Sequence, residues 1–426
     1  MSEREPTDEP LEPFARPSAF RAVLGYAAIF GAVGAVAGLV FLWVTGVGDF
    51  WGDEDATEWF GGHVWWVAVT AGAGLVVGLL RRGFHMPSRQ PGLIEEASEA
   101  EVEPARVPST VAVSAVSLIG GASLGPEAAL GSMGGGFATW LSRRRGLDEE
   151  MTKTNTLNGM SGAFGGLLSA PFLAAMLVID LARPGGDRLV RVVIGGAVAA
   201  SISFAIYFPI AGTLFLEAYA LPSYEYEDWN LLAGVALGVV AAGLALLLGL
   251  TIGITRKLLA PLEQRTVLRP VVGGVIFGLV AVALPLTLFT GSDQLATVIE
   301  ESAELGTPLL IALVLGKILT FAVCVNTGFI GGPLFPAFFI GGTAGIAASE
   351  IVPGLPPALA FTCLLAAVPA AVVPAPFTMV LLAGLLVGVG VLQFSPILIS
   401  VVLAYILVSG TGVLQALARR AQQADA

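Results

Sequence analysis

One carboxylate in this sequence stands where a carboxylate is expensive. Glu127 lies in SLGPEAALG (Ser123–Gly131), in an apolar stretch with no Lys or Arg on its C-terminal side before Arg143. An ionisable residue in such a stretch marks a functional site by default. Gly125-Pro126 directly before it breaks one helix and begins the next, since Pro suits a first helical turn. The new helix opens with unsatisfied N–H groups and the positive end of its dipole. The dipole favours an ionised Glu127, whereas burial favours the neutral form. A group balanced in this way can fill an anion site when ionised and leave it when protonated. The bland alternative is a helix N-terminal carboxylate meeting backbone donors at a wet surface.

A second break of the same kind occurs at Gly332-Pro333, ahead of Leu334-Phe335. GASLGPEAALGSMGGG (Gly121–Gly136) is followed by LLSAPFLAAMLV (Leu167–Val178), and GFIGGPLFPAFFIGGT (Gly328–Thr343) by AVVPAPFTMVLL (Ala371–Leu382). The two Gly-Pro pairs are 207 residues apart and the two Ala-Pro-Phe triplets 205. Both motifs recur in order at nearly one offset, which predicts an internal repeat, the pattern that points to a transport site in membrane transporters. Two helix N-termini facing each other in mid-membrane would bind an anion without a full positive charge. Such binding stays weak enough for a conducted ion to leave.

The elements that must position these residues are membrane helices. Of 426 residues 55% are hydrophobic and 12% charged, and the mean hydropathy is +0.84, against about a quarter charged in a soluble domain. Apolar runs cover about 20–47, 64–80, 107–142, 155–182, 190–215, 230–254, 270–290, 307–325, 334–351, 358–392 and 396–417. At about 20 residues per span this leaves room for ten or more membrane helices. The chain holds 54 Gly and 26 Pro, and interrupted spans are tolerated only where freed backbone is buried in protein or lines a wet cavity. The expected fold is therefore an all-α polytopic membrane protein of two inverted repeats. The first half covers 20–215, an extracellular loop 216–229, and the second half 230–420. An acidic tail over 1–19, without the basic start of a cleavable signal peptide, and a short tail over 421–426 flank them.

Arg81-Arg82, Arg143-Arg144-Arg145, Arg183/Arg188/Arg191, Arg256-Lys257/Arg265/Arg269 and Arg419-Arg420 mark cytoplasmic ends, because cytoplasmic loops carry the excess of Lys and Arg. The acidic, aromatic stretches 49–59 and 217–229 then face outside, and both termini face the cytoplasm. No basic stripe speaks for nucleic acid. Cys324 and Cys363 lie in apolar runs and form no disulfide framework. His63 and His85 lack metal-ligand spacing, and no cofactor is expected. Lys317 in VLGKILTF reads as a structural or snorkelling lysine.

Gly125-Pro126-Glu127-Ala128-Ala129 resembles the GREGP motif of the CLC chloride channels and chloride/proton antiporters, in which the glutamate is the external gate. SAPFLAAMLVIDLARP (Ser169–Pro184) resembles that family's NAPLAGILFIIEEMRP, and Gly331–Pro336 its GGxFxP motif with Leu334 in place of phenylalanine. Ser88 in PSRQPG fits, more loosely, the serine of its GSGIP motif. The resemblance runs from about 20 to 420, to members of bacterial length without a cytoplasmic regulatory domain. It implies a homodimer in the cell membrane with an anion path in each protomer. It also implies an anion site at Ser88, Gly125, Pro126, Gly332, Pro333, Leu334 and Phe335.

The sequence also departs from that pattern. Pro333 has no N–H, so Leu334 and Phe335 must supply the amides. The family's pore tyrosine falls near Val413, with Tyr405 a packing or interfacial residue two turns earlier. The antiporters' inner proton-transfer glutamate falls on Leu181, which cannot relay a proton, while neighbouring Asp180 matches the preceding acid. These departures favour channel-like or weakly proton-coupled transport of chloride or a similar anion, with a chloride/proton antiporter as the alternative. A cation-coupled transporter of another inverted-repeat fold is a further reading. An enzyme is not expected. The rival enzyme reading, an intramembrane serine protease, rests on the rhomboid-like GMSG around Ser161, but no histidine follows His85, and a serine nucleophile needs a base within reach.

Overall fold

The computed structural model describes residues 17–47, 63–213 and 218–410. Val413, the acidic stretch 49–59 and most of both tails lie outside the described residues. The helices in order are α1 Pro17–Thr45, α2 Trp66–Gly83, α3 Leu93–Glu99, α4 Val107–Ile119, α5 Glu127–Arg144, α6 Glu149–Leu167, α7 Pro171–Ala182 and α8 Gly186–Ala211. They continue with α9 Trp229–Leu259, α10 Leu268–Ala283, α11 Ser292–Glu300, α12 Ser302–Thr327, α13 Leu334–Ile351, α14 Pro357–Val372, α15 Pro376–Val387 and α16 Phe394–Gly410. Among the described residues there is no strand, only one isolated antiparallel bridge. The architecture is all-α and polytopic, as expected.

Several apolar runs divide where Gly and Pro made this possible. The run over 107–142 breaks between Ile119 and Glu127, that over 155–182 between Leu167 and Pro171, and that over 358–392 between Val372 and Pro376. Among the described residues, six helices are long and apolar enough to cross a membrane, and five more are apolar but only 10–17 residues long. Four of the short ones are pieces of these divided runs, and the fifth is Leu268–Ala283. Matching elements of the two halves have matching lengths: α5 and α13 are both 18 residues, α7 and α15 both 12. Both 12-residue helices begin at Pro, whose missing N–H costs nothing at a first helical position.

The outer surface differs from that of a soluble protein. Outward faces of α1 and α9 carry large apolar residues, with Val36 and Val40 each 56% and Leu232 73% exposed. Such faces match a lipid surround, and the chain is a multi-pass membrane protein. The helices packed most closely against α5 and α13 sit inside. Every residue of α14 from Ala358 to Ala371 is buried, as is α6 from Thr154 to Leu167. Small residues let these helices approach: a methyl group placed on Gly134 would sit 2.2 Å from the Gly159 carbonyl oxygen, and one on Gly159 2.3 Å from that of Gly134. The GMSGAFGG segment is thus a packing seam of α6.

Candidate functional site

The two Gly-Pro breaks meet. Gly125 N–H donates to the Gly332 carbonyl at 2.9 Å, and Gly332 N–H returns the bond to the Gly125 carbonyl at 2.8 Å. This reciprocal pair joins equivalent residues of the two repeats and brings together the N-termini of α5 and α13. Pro126 and Pro333 are the N-caps of these helices. The first-turn N–H groups have no partners within their own helix.

Glu127, the first residue of α5, turns its carboxylate toward the other helix. It is 1% exposed, and its Oε1 accepts from the Phe335 N–H at 3.1 Å. Oε2 is buried without a hydrogen-bond partner. The carboxylate is wedged against both glycines of the bridge. A methyl group on Gly125 would fall 2.0 Å from Oε2, and one on Gly332 2.1 Å from it. Gly at both positions leaves the carboxylate the space that a side chain would take. Leu334 and Phe335, 3% and 1% exposed, close the site from α13. The geometry places an anionic group at a helix N-terminus, where backbone dipole and unpaired N–H groups favour negative charge.

The other candidate residues lie in different places. Ser88 is exposed, in the loop between α2 and α3, and it is the backbone of this loop that is held: Arg81 Nη2 donates to the carbonyls of Pro87 and Ser88 at 2.7 and 3.3 Å. Asp180, near the end of α7, accepts from Thr378 N–H at 3.0 Å and from its hydroxyl at 2.9 Å, so it caps the start of α15 in the other repeat. Leu181 is buried in the main apolar cluster. Tyr405, read as a packing or interfacial residue, is half-buried and accepts from Arg183 Nη2 at 2.6 Å.

Ser161 and Lys317, the only nucleophile and base open to the protease reading, have separate partners. The Ser161 hydroxyl donates to the Leu157 carbonyl at 3.1 Å. Lys317 Nζ donates to the carbonyls of Thr287, Leu288 and Phe289 at 3.1, 3.1 and 2.9 Å. No group of metal-ligating side chains occurs among the described residues. The sequence reading missed Arg81, which it took only as one of a pair marking a helix end. Nothing local separates Arg81 from Arg82. Neighbours on a helix point about 100° apart, so only the packing decides that Arg81 is 6% exposed and Arg82 open to solvent.

The profile of the family described as "Voltage gated chloride channel" matches residues 73–409. Among curated relatives, "Putative ion-transport protein YfeO" of Escherichia coli (strain SMS-3-5 / SECEC) is 27% identical over 308 residues, covering 70% of this chain and 71% of that protein. The protein of the same name from Salmonella newport (strain SL254) is 28% identical over 309 residues, covering 70% and 72%. A crystal structure of a CLC-type fluoride/proton antiporter superposes with a TM-score of 0.75 at 18% identity, covering 93% of this chain and 97% of that one. That of a slow cyanobacterial Cl−/H+ antiporter gives 0.76 at 17% identity, with the same coverage. The family profile spans well over half of the chain, and the fold of the solved antiporters is shared across nearly all of it. The chain belongs to the voltage-gated chloride channel (CLC) family of membrane anion-transport proteins.

Proposed function

We propose that the protein carries chloride, or a similar small anion, along a path gated by the Glu127 side chain, with weak or no coupling to protons. The observation that carries this reading is the Glu127 carboxylate seated on the Phe335 amide at the start of α13. A carboxylate in that position stands in for a transported anion, since both are recognised by the same amide and helix dipole. When the carboxylate leaves, the slot is free for the ion. Protonation favours leaving, because a neutral carboxylic acid loses the attraction of the dipole. Ser88, Gly125, Pro126, Gly332, Pro333 and Leu334 are assigned to the same anion path, with Phe335 as the amide donor. The arginine placement supports a cell-membrane protein with both termini in the cytoplasm, and the family resemblance supports a homodimer with one path per protomer.

Weak coupling rests on the inner end of α7. The aliphatic Leu181 offers neither donor nor acceptor, and one oxygen of Asp180, Oδ2, accepts both bonds from Thr378. The antiporter alternative draws on the solved neighbours, which are described as fluoride/proton and Cl−/H+ antiporters. Anion flux from liposomes with simultaneous pH recording separates the two. The expected result is anion flux without protons driven uphill by an anion gradient. A constant stoichiometric proton flux would overturn weak coupling, and its loss in Asp180→Asn would name Asp180 as the carrier.

The glycine contacts give a second test of the gate. The added methyl of Gly332→Ala would collide with the Glu127 side chain, its nearest neighbours being Oε2, Cδ and Cβ of that residue. A flexible side-chain tip yields more readily than packed backbone. The variant is expected to expel the carboxylate and to flatten the pH response of flux while keeping normal abundance. An unchanged pH response in a folded Gly332→Ala protein would place the gate elsewhere.

A further inference from the structure

Arg81 joins the two loops that the proposed anion path needs side by side. It lies in the last turn of α2, yet it is 6% exposed. Its Nη2 donates to the carbonyls of Pro87 and Ser88, and its Nη1 to the Gly328 carbonyl at 3.3 Å. Gly328 caps the end of α12 with φ +96°, four residues before Gly332 in the segment that leads into α13. A methyl group on Gly328 would lie 3.3 Å from Cδ and Nε of Arg81, so the guanidinium lies directly against that turn. The loop also folds back on Arg81 itself, with Met86 N–H donating to the Arg81 carbonyl at 2.9 Å. A planar guanidinium presents several N–H groups in a fixed fork and can hold two chain segments at a set separation.

Among the described residues no carboxylate pairs with Arg81. Its charge is met by carbonyl oxygens, one of them at the negative end of the α12 dipole. Arg269 approaches the same helix end, with Nε donating to the Asn326 carbonyl at 2.7 Å. What distinguishes Arg81 is that its acceptors belong to the loop carrying Ser88 and to the turn preceding Gly332-Pro333-Leu334-Phe335.

We propose that Arg81 is a positioning residue for anion selectivity, holding the Ser88 loop in register with the Gly328–Phe335 segment. The inference rests on the reading of Ser88 as part of the anion path, and the test separates the failure of one from the failure of the other. Full-length wild type, Ser88→Ala, Arg81→Lys and the double variant are reconstituted in liposomes. Chloride, bromide and nitrate fluxes are measured per folded protein, with abundance and melting temperature followed in parallel. Loss of a hydrogen bond to a charged group predicts a change of roughly tenfold in relative anion preference for Ser88→Ala. Arg81→Lys, which keeps the charge but not the fork, is expected to shift preference in the same direction by about threefold or more. Residues acting through one element are non-additive, so the double variant should resemble Ser88→Ala alone.

A shift in Ser88→Ala with unchanged preference in Arg81→Lys, whatever its abundance, overturns the role of Arg81 and leaves that of Ser88. Unchanged preference in Ser88→Ala overturns the Ser88 reading, and the Arg81 inference falls with it. Fully additive shifts show that Arg81 acts independently of Ser88, which also overturns the inference. Should Arg81→Lys fail to accumulate, Arg81→Gln, whose planar amide keeps two N–H donors, takes its place. Failure of both to accumulate makes Arg81 a folding residue and overturns the positioning role.

Discussion

Glu127→Gln should carry anions faster than the wild type and lose most of the pH response of the pathway. The side chain sits at the N-terminus of α13, with Oε1 on the Phe335 amide. A glutamine fits the same space but carries no charge. A hydrogen bond to a charged group contributes about 1.5–3 kcal/mol, against about 0.5–1.5 for a neutral pair. The helix dipole adds about 0.3–1 kcal/mol for an anion and nothing for an amide. The glutamine forgoes both attractions, and without a charge it no longer competes with the ion for them. In the wild type, flux should rise as pH falls, because protonation removes the charge that competes with the ion. In Glu127→Gln that dependence should be flat. Liposome flux between acid and neutral pH reads both effects. A variant with wild-type flux and wild-type pH response would show that this carboxylate does not obstruct the path.

The buried glutamate and the repeat were legible in the sequence because both rest on local signals. A single glutamate after Gly-Pro in an apolar run is conspicuous, and the near-equal offsets of Gly125-Pro126 to Gly332-Pro333 and of Pro171 to Pro376 reflect a symmetry that the fold retains in helix lengths. The absence of an N–H on Pro333 moved attention to the next amides, and the Phe335 N–H is the donor on the Glu127 carboxylate. The reciprocal bond between Gly125 and Gly332 was not legible. Sequence marks each break but not that the two breaks pair, which depends on how the halves pack across some two hundred residues. The same holds for Arg81, whose burial is set by a loop and a turn distant in sequence. Asp180 shows the intermediate case. Helix periodicity separates it from Leu181 on the helix surface, but its capping of α15 through Thr378 is a tertiary fact.

Lys317→Met should abolish accumulation of folded protein, whereas Lys317→Arg should lose part of it. The sequence left two readings, a structural lysine or one snorkelling to the interface, and the side chain is 0% exposed. Three carbonyl oxygens, of Thr287, Leu288 and Phe289, surround Nζ, matching the three N–H groups of an ammonium. The Phe339 ring lies beneath, 4.9 Å from Nζ to its centroid, adding a cation–π contact. Methionine fills similar space but leaves three acceptors that have lost their donor at a buried position. At about 1–3 kcal/mol for each buried polar group left unsatisfied, the total rivals the whole net stability of a typical fold, about 5–15 kcal/mol. The damage reaches the site, because Phe289 N–H donates to the Gly121 carbonyl at 3.1 Å and Gly121 opens the segment that leads to Glu127. Arginine keeps the charge and several donors, but its longer, planar head cannot converge on the same three oxygens in a space bounded by Gly291, where an added methyl would lie 3.1 Å from Nζ. Abundance in membranes and melting temperature in detergent measure both variants. A Lys317→Met protein that accumulates and melts like the wild type would show that these carbonyls find other donors and that the buried ammonium is dispensable.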